Sequence, residues 1–268
     1  MEERIKVEVS NGVADVRMVR VDKMNALDDA MFSALIETGE ALKTRKDVRA
    51  VVLSGEGRAF CAGLDMSNFG KMASGERKGG AGIVATPRTP AGANHAQQAV
   101  YVWREIPVPV IGAIHGVALG GGFQLALGPE IRFVHPETKM AVLEIKWGLV
   151  PDMAGLVLMK GILRDDVARE LTYTGRIFTG EEAFKLGLAT RVCEDPRAEA
   201  LALAAEIAGK NPDAIRAGKR LLNLAASGAG DAAIFKAESA EQGALIGSPN
   251  QVEAVKSNME RRAAVYAD

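Results

Sequence analysis

The sequence offers little of what metal, disulfide or polyanion chemistry requires. It has only two cysteines, Cys61 and Cys193, far apart and without the short spacing of metal ligands. Neither a zinc site nor a disulfide framework is expected, and a reducing, cytoplasmic setting fits. Of the three histidines, His95 and His135 stand without chemical partners in sequence, and His115 reads as a structural residue at a strand end. Lysine and arginine (33) nearly balance aspartate and glutamate (34), leaving a net charge of −1. Without a basic excess there is no basis for a run of phosphate contacts, so a nucleic-acid partner is not expected. No run of about 18 uncharged apolar residues occurs, and the opening MEERIKVEVS mixes acids with bases. Neither a membrane span nor an export leader is expected.

What is present is an ordinary core composition, 48% hydrophobic and 25% charged, over 268 residues. That is enough apolar material for one large domain with an appendage, divided here into a core over 1–196 and a helical region over 197–268. Glycine is abundant at 29 residues, and the glycines cluster where backbone must come close to something. Lys6–Val9 and Val13–Val19 alternate apolar and polar residues about Asn11-Gly12, which predicts a hairpin. Asn25–Lys43 carries Leu27, Met31, Leu35 and Leu42 near one helical face, with Asp28 as a cap. Val48–Ser54 reads as a strand buried on both sides. The pattern recurs as Val108–Val117, Gly122–Gly128 and Ile131–His135, strand, helix and strand, which predicts stacked β-β-α units of an α/β fold. Met66–Pro90, rich in glycine, proline and charge, reads as a mobile loop of the kind that forms lids. Helices are expected over Leu201–Ala208, Asp213–Ala226 and Gln251–Ala264.

Two glycine-rich segments follow strands. GEGRAFCAGLD, Gly55–Asp65, holds small residues at 59, 61, 62 and 63, and HGVALGGGFQ, His115–Gln124, opens a helix with three consecutive glycines. A helix start presents unpaired N–H groups. Together the segments can aim two backbone N–H groups at one developing oxyanion, such as a thioester enolate. Tight turns and close helix–strand packing explain glycines of this kind equally well. The small size of Cys61 accounts for it better than nucleophilicity does.

GEGRAFCAGLD and HGVALGGGFQLAL, with VDKMNALDD, LEIKWGLVPDMAG and TGRIFTGEEAFKLGLATRV in order along the chain, resemble the signature regions of the crotonase, or enoyl-CoA hydratase/isomerase, superfamily. The resemblance implies a crotonase-like spiral of β-β-α units with a carboxy-terminal helical trimerisation region, forming a homotrimer or a hexamer. It implies an acyl-CoA substrate of the kind met in fatty acid metabolism, with coenzyme A arriving as part of that substrate and no metal or redox cofactor. By motif position the N–H groups of Leu64 and Gly121 would form the oxyanion hole. Ala62 and Asp65 would contact the adenine end of CoA through the main chain, with Ala26 of the Asn25-Ala26-Leu27 stretch nearby. Arg261 matches a basic residue that meets the CoA phosphates, although a solvated helix face explains it as well.

Hydratases of this superfamily use two glutamates, and here the first position is Gln124 and the second Glu144. Glutamine holds water or substrate but does not exchange a proton at ordinary pH. One carboxylate suffices for an isomerase, which removes a proton and returns it elsewhere on the same dienolate. Asp152, eight residues beyond Glu144, matches a position that carries a catalytic aspartate in some members, though Pro151-Asp152 is equally the chemistry of a turn. The expectation is therefore double-bond isomerisation with Glu144 as base and Asp152 as its candidate partner. Hydration by Glu144 and Asp152, or a noncatalytic acyl-CoA-binding relative, stand as alternatives. Trp103 and Trp147 are read as pocket walls or packing residues, Trp147 the better pocket candidate.

Overall fold

The computed structural model describes residues 3–76 and 87–268. Strands β1 (Ile5–Ser10) and β2 (Val13–Met18) form the expected hairpin, in which Asn11 and Gly12 take the positive φ values, 50° and 78°, that a tight two-residue connection requires. Strand β3 (Ala50–Gly55) lies parallel to β2 and is buried at every position. Then β4 (Val110–Ile114), β6 (Ile131–Val134) and β8 (Arg191–Val192) extend a six-stranded sheet in the order β1-β2-β3-β4-β6-β8, parallel after the first pair.

Period-two alternation splits β3 between two cores. Val51 and Leu53 face the main core, with helices α1 (Asp29–Lys43) and α3 (His95–Glu105) packed over it. Ala50 and Val52, with Ile111 and Phe133, face helix α8 (Pro196–Ala208), whose Ala200, Ala204 and Ala208 form a stripe of small residues at helical spacing. That stripe lets the helix backbone approach the sheet. Helix α9 (Pro212–Ala226) also lies on this chain's own core, where Arg216 bonds the carbonyls of Lys46 and Val48.

Helix α1 starts at Asp29, four residues later than expected, because Asp28 accepts the N–H of Met31 at 2.8 Å as cap. Asn25 instead holds a left-handed turn with φ 55°. The Met66–Pro90 loop expectation is corrected at its start. Met66–Ala73 form helix α2, capped by Asp65, which accepts the N–H of Ser67 at 2.9 Å. Residues 77–86, the heart of that expected loop, lie outside the described residues. Sequence reading also missed helix α10 (Asp231–Leu245), none of whose residues is buried. The last helix, α11 (Pro249–Glu260), stops short of Ala264 because Arg261 turns left-handed. No described helix is long and apolar enough to cross a membrane.

A second, smaller layer positions the site. Strands β5 (Val117–Leu119) and β7 (Lys139–Ala141) pair in parallel, and single bridges continue the layer from Leu27 to Leu64, Cys61 to Ala118 and Met140 to Phe178. Each chain turn thus contributes one long strand to the main sheet and one short segment to this layer, the repeated unit expected from the sequence.

Candidate active site

The two glycine-rich segments run side by side. Cys61 donates to the carbonyl of Val117 at 3.0 Å and Leu119 to that of Cys61 at 3.2 Å. Side chains would prevent this approach. A Cβ at position 63 would stand 2.4 Å from the Leu119 carbonyl oxygen and 3.6 Å from the Gly121 nitrogen, and one at 122 would stand 2.1 Å from the Cys61 oxygen. Asn25 steadies the loop after β3 by donating to the carbonyls of Glu56 and Ala59 at 3.1 and 2.8 Å.

That register sets the direction of two amides. Leu27 donates to Gly63 at 2.8 Å and accepts from Asp65 at 3.0 Å, so the polar groups of Leu64 between them face the other way, as alternation in a parallel ladder requires. Gly121 begins helix α4 (Gly121–Ala126), where a first-turn N–H has no intrahelical acceptor. Among the described residues neither amide donates a hydrogen bond, and Leu64 and Gly121 both line one cavity of about 670 Å³. The structure brings these two sequence-predicted residues together.

Glu144 lines the same cavity. It opens a 3-10 turn (Glu144–Trp147) after β7, closed by left-handed Gly148, and is 8% exposed. The Nε2 of Gln124 donates to its Oε1 at 2.6 Å, while its Oε2 is buried with no hydrogen-bond partner among the described residues. Burial pushes the Glu144 carboxyl above its ordinary range, against hydrogen bonds from the backbone and Gln124, and the charge of Asp152 adds to the rise. Asp152 is exposed on the cavity wall.

Gln124, expected to hold substrate or water, is bonded within the chain. It does not line the cavity, and its carbonyl oxygen accepts the N–H groups of Met153 and Gly155 at 2.8 and 3.0 Å. The geometry places its amide between Glu144 and the Met153–Gly155 segment. Helix α5 (Gly155–Met159) begins at that anchor, after Ala154 in a left-handed conformation with φ 67°.

A family model described as enoyl-CoA hydratase/isomerase matches residues 8–268. The chain belongs to the enoyl-CoA hydratase/isomerase family. It is 32% identical over 211 residues to the mitochondrial Delta(3,5)-Delta(2,4)-dienoyl-CoA isomerase of Mus musculus, an alignment covering 77% of this chain and 64% of that protein. It is 30% identical over 223 residues to the mitochondrial methylglutaconyl-CoA hydratase of the same organism, covering 81% and 67%. The chain therefore spans slightly under two thirds of the isomerase's length. A solved enoyl-CoA hydratase from Bacillus anthracis has the same fold, with a TM-score of 0.87 at 24% identity over 98% of this chain and 99% of that one. The molecule is an enzyme of the enoyl-CoA hydratase/isomerase family with the crotonase fold.

Within this family framework the other expected residues separate. Ala62 lines the cavity, but Ala26 and Asp65 do not. The Ala26 carbonyl accepts from Arg20 at 3.0 Å. Asp65 is held by Arg20 at 2.6 Å and by the α2 cap, and its N–H is taken by Leu27, so both its carboxylate and its amide are engaged within the chain. Arg261 is exposed at the end of α11 with no ion pair among the described residues, whereas Arg262 pairs with Glu253 and Glu260. Burial pushes the Cys61 thiol up to about 12 and its Sγ donates to the Asn25 carbonyl, which accords with a packing role. Trp103 is fully buried and donates to Ala99, whereas Trp147 lines the cavity, stacked on Phe69 with centroids 4.1 Å apart. Phe69 was missed because its segment read as loop. The hydrophobic period of MSNFGKMA behind a capping Asp was the available signal.

Proposed function

We propose that this enzyme binds an unsaturated acyl-CoA thioester with its carbonyl oxygen between the N–H groups of Leu64 and Gly121, and shifts the position of the double bond. Glu144 removes a proton alpha to the thioester. The electron pair moves onto the carbonyl oxygen, where two amides in a largely apolar cavity stabilise it; loss of one such donor typically costs about 10²–10³-fold in rate. Glu144 then returns the proton at the gamma carbon of the dienolate, so no other acid is required. Trp147 and Phe69 form an aromatic wall for the acyl chain.

The observation that carries the isomerase reading is Gln124, which turns the first of two hydratase positions into a hydrogen-bond donor fixed against Glu144. Asp152 supports hydration as a second reading, because it is a further carboxylate on the cavity wall whose charge reaches Glu144. The pure enzyme offered a 3-enoyl-CoA should generate conjugated enoyl absorbance, whereas offered crotonyl-CoA it should remove that absorbance far more slowly. Rapid loss from crotonyl-CoA would establish hydration instead.

A further inference from the structure

A second cavity, of about 610 Å³, lies between β6 and helix α9 and shares no lining residue with the active-site cavity. Its size is in the range of small-molecule sites. Three cationic side chains, Arg104, Arg132 and Lys219, line it together with one carboxylate, Glu130. Glu130 is already engaged, by Lys219 at 2.6 Å and by the N–H of Val110 at 2.8 Å.

Arg132 is the anomaly. It is 6% exposed, its Nε and Nη1 donate to the carbonyls of Leu188 and Pro129, and among the described residues its Nη2 has no acceptor and no carboxylate pairs with it. Arg104, half-buried, has no side-chain hydrogen bond or ion pair among the described residues. Burial draws the Arg132 guanidinium down to about 10 and also lowers Lys219; in both cases the charge of Arg104 adds to the effect and that of Glu130 opposes it. Buried positive charge in excess of its counter-charge is expensive unless an anion completes it. Guanidinium groups are suited to that task, because their forked donors match a carboxylate or a phosphate.

We propose that this cavity binds a small organic anion, its carboxylate or phosphate held by Arg132 and Arg104 and its apolar body against Ile131, Ile215 and Leu222. The charged end is gripped where three cations meet a single carboxylate, Glu130, already paired with Lys219, and the aliphatic wall selects an amphiphilic ligand over a bare inorganic ion.

Calorimetric titration of the full chain with hexanoate, hexyl phosphate and uncharged hexanol tests this. Saturable binding of one or both anions, none of hexanol, and at least a tenfold loss of affinity in Arg104→Gln with coenzyme A binding unchanged support the site. The tighter of the two anions shows whether a carboxylate or a phosphate is preferred. Arg104 is only half-buried, so this variant folds even where Arg132→Met does not. Absence of saturable anion binding, or equal affinity in Arg104→Gln, overturns the proposal. So does a change of oligomeric state in Arg104→Gln without anion binding to the parent, which would mean that a second copy of the chain supplies the counter-charge.

Discussion

Gln124 donates a 2.6 Å hydrogen bond to Glu144 and accepts two more from the N–H groups of Met153 and Gly155. A single amide therefore ties the buried carboxylate of the cavity wall to helix α4 on one side and to the start of α5 on the other. Of the two carboxylate oxygens of Glu144, Oε2 has no hydrogen-bond partner among the described residues.

Gln124→Glu keeps the two acceptor bonds but replaces the donor facing Glu144 with a second carboxylate. Two carboxylates in such contact share a proton rather than both ionising. Hydration of crotonyl-CoA is expected to rise relative to isomerisation by about 10²-fold, the lower end of what a positioned acid contributes. Initial rates on crotonyl-CoA and on a 3-enoyl-CoA check this, and an unchanged ratio would separate hydration from the identity of residue 124.

Glu144→Gln should lower turnover by about 10²–10⁴-fold while coenzyme A binding persists. Because burial raises the Glu144 pKa, the acid limb of the rate profile should lie above the ordinary glutamate range, and Asp152→Asn should move it to lower pH by removing a repelling charge. The sign for stability is the reverse of that for activity. A carboxyl whose folded pKa is raised favours folding below its unfolded pKa, and that contribution is lost as pH rises through the folded value. At neutral pH Glu144→Gln should therefore melt higher than the parent, measured by calorimetry.

Gly63→Ala forces a methyl group to within 2.4 Å of the Leu119 carbonyl in a residue whose φ is +93°. The neighbour is backbone, so the two segments must separate, and the amides of Leu64 and Gly121 separate with them. Destabilisation of about 1–3 kcal/mol is expected from the overpacking, together with at least a 10²-fold fall in kcat. Denaturant titration and steady-state kinetics on the same preparation read both effects.

Asp65→Asn addresses the cap. Burial opposes ionisation of Asp65, but the hydrogen bonds from Ser67 and the Arg20 guanidinium outweigh it and hold the pKa at about 2. A depressed carboxyl contributes stability above its unfolded pKa and loses it as pH falls through the folded value. Asparagine still caps the helix but loses the charged pair with Arg20. The variant should therefore be less stable by roughly 1 kcal/mol at neutral pH, and the difference should vanish between about pH 4, the unfolded range, and pH 2. Urea midpoints across that window measure it.

Local chemistry made much of the fold legible. Asn11-Gly12 specified a turn, Asp28 a cap, and the unbroken apolar run around Val51 a strand buried on both faces. The same reasoning failed at Met66–Ala73, where glycine-rich flanks hid a capped helix, and so Phe69 was not placed against Trp147, 78 positions away. It also extended the last helix past Arg261, because a left-handed arginine has no sequence signature comparable to glycine.

By itself, the amino-acid sequence determined which backbones can touch. Only glycine at 63 and 122 permits two distant segments to lie within carbonyl contact, so the pairing was written in residue size. The tertiary structure alone decided what the polar side chains do. Gln124 faces Glu144, Asp65 faces Arg20, and Arg132 lines a cavity with more cations than carboxylates. A side chain's partner depends on how separate elements pack, whereas the absence of a side chain constrains the chain wherever it goes.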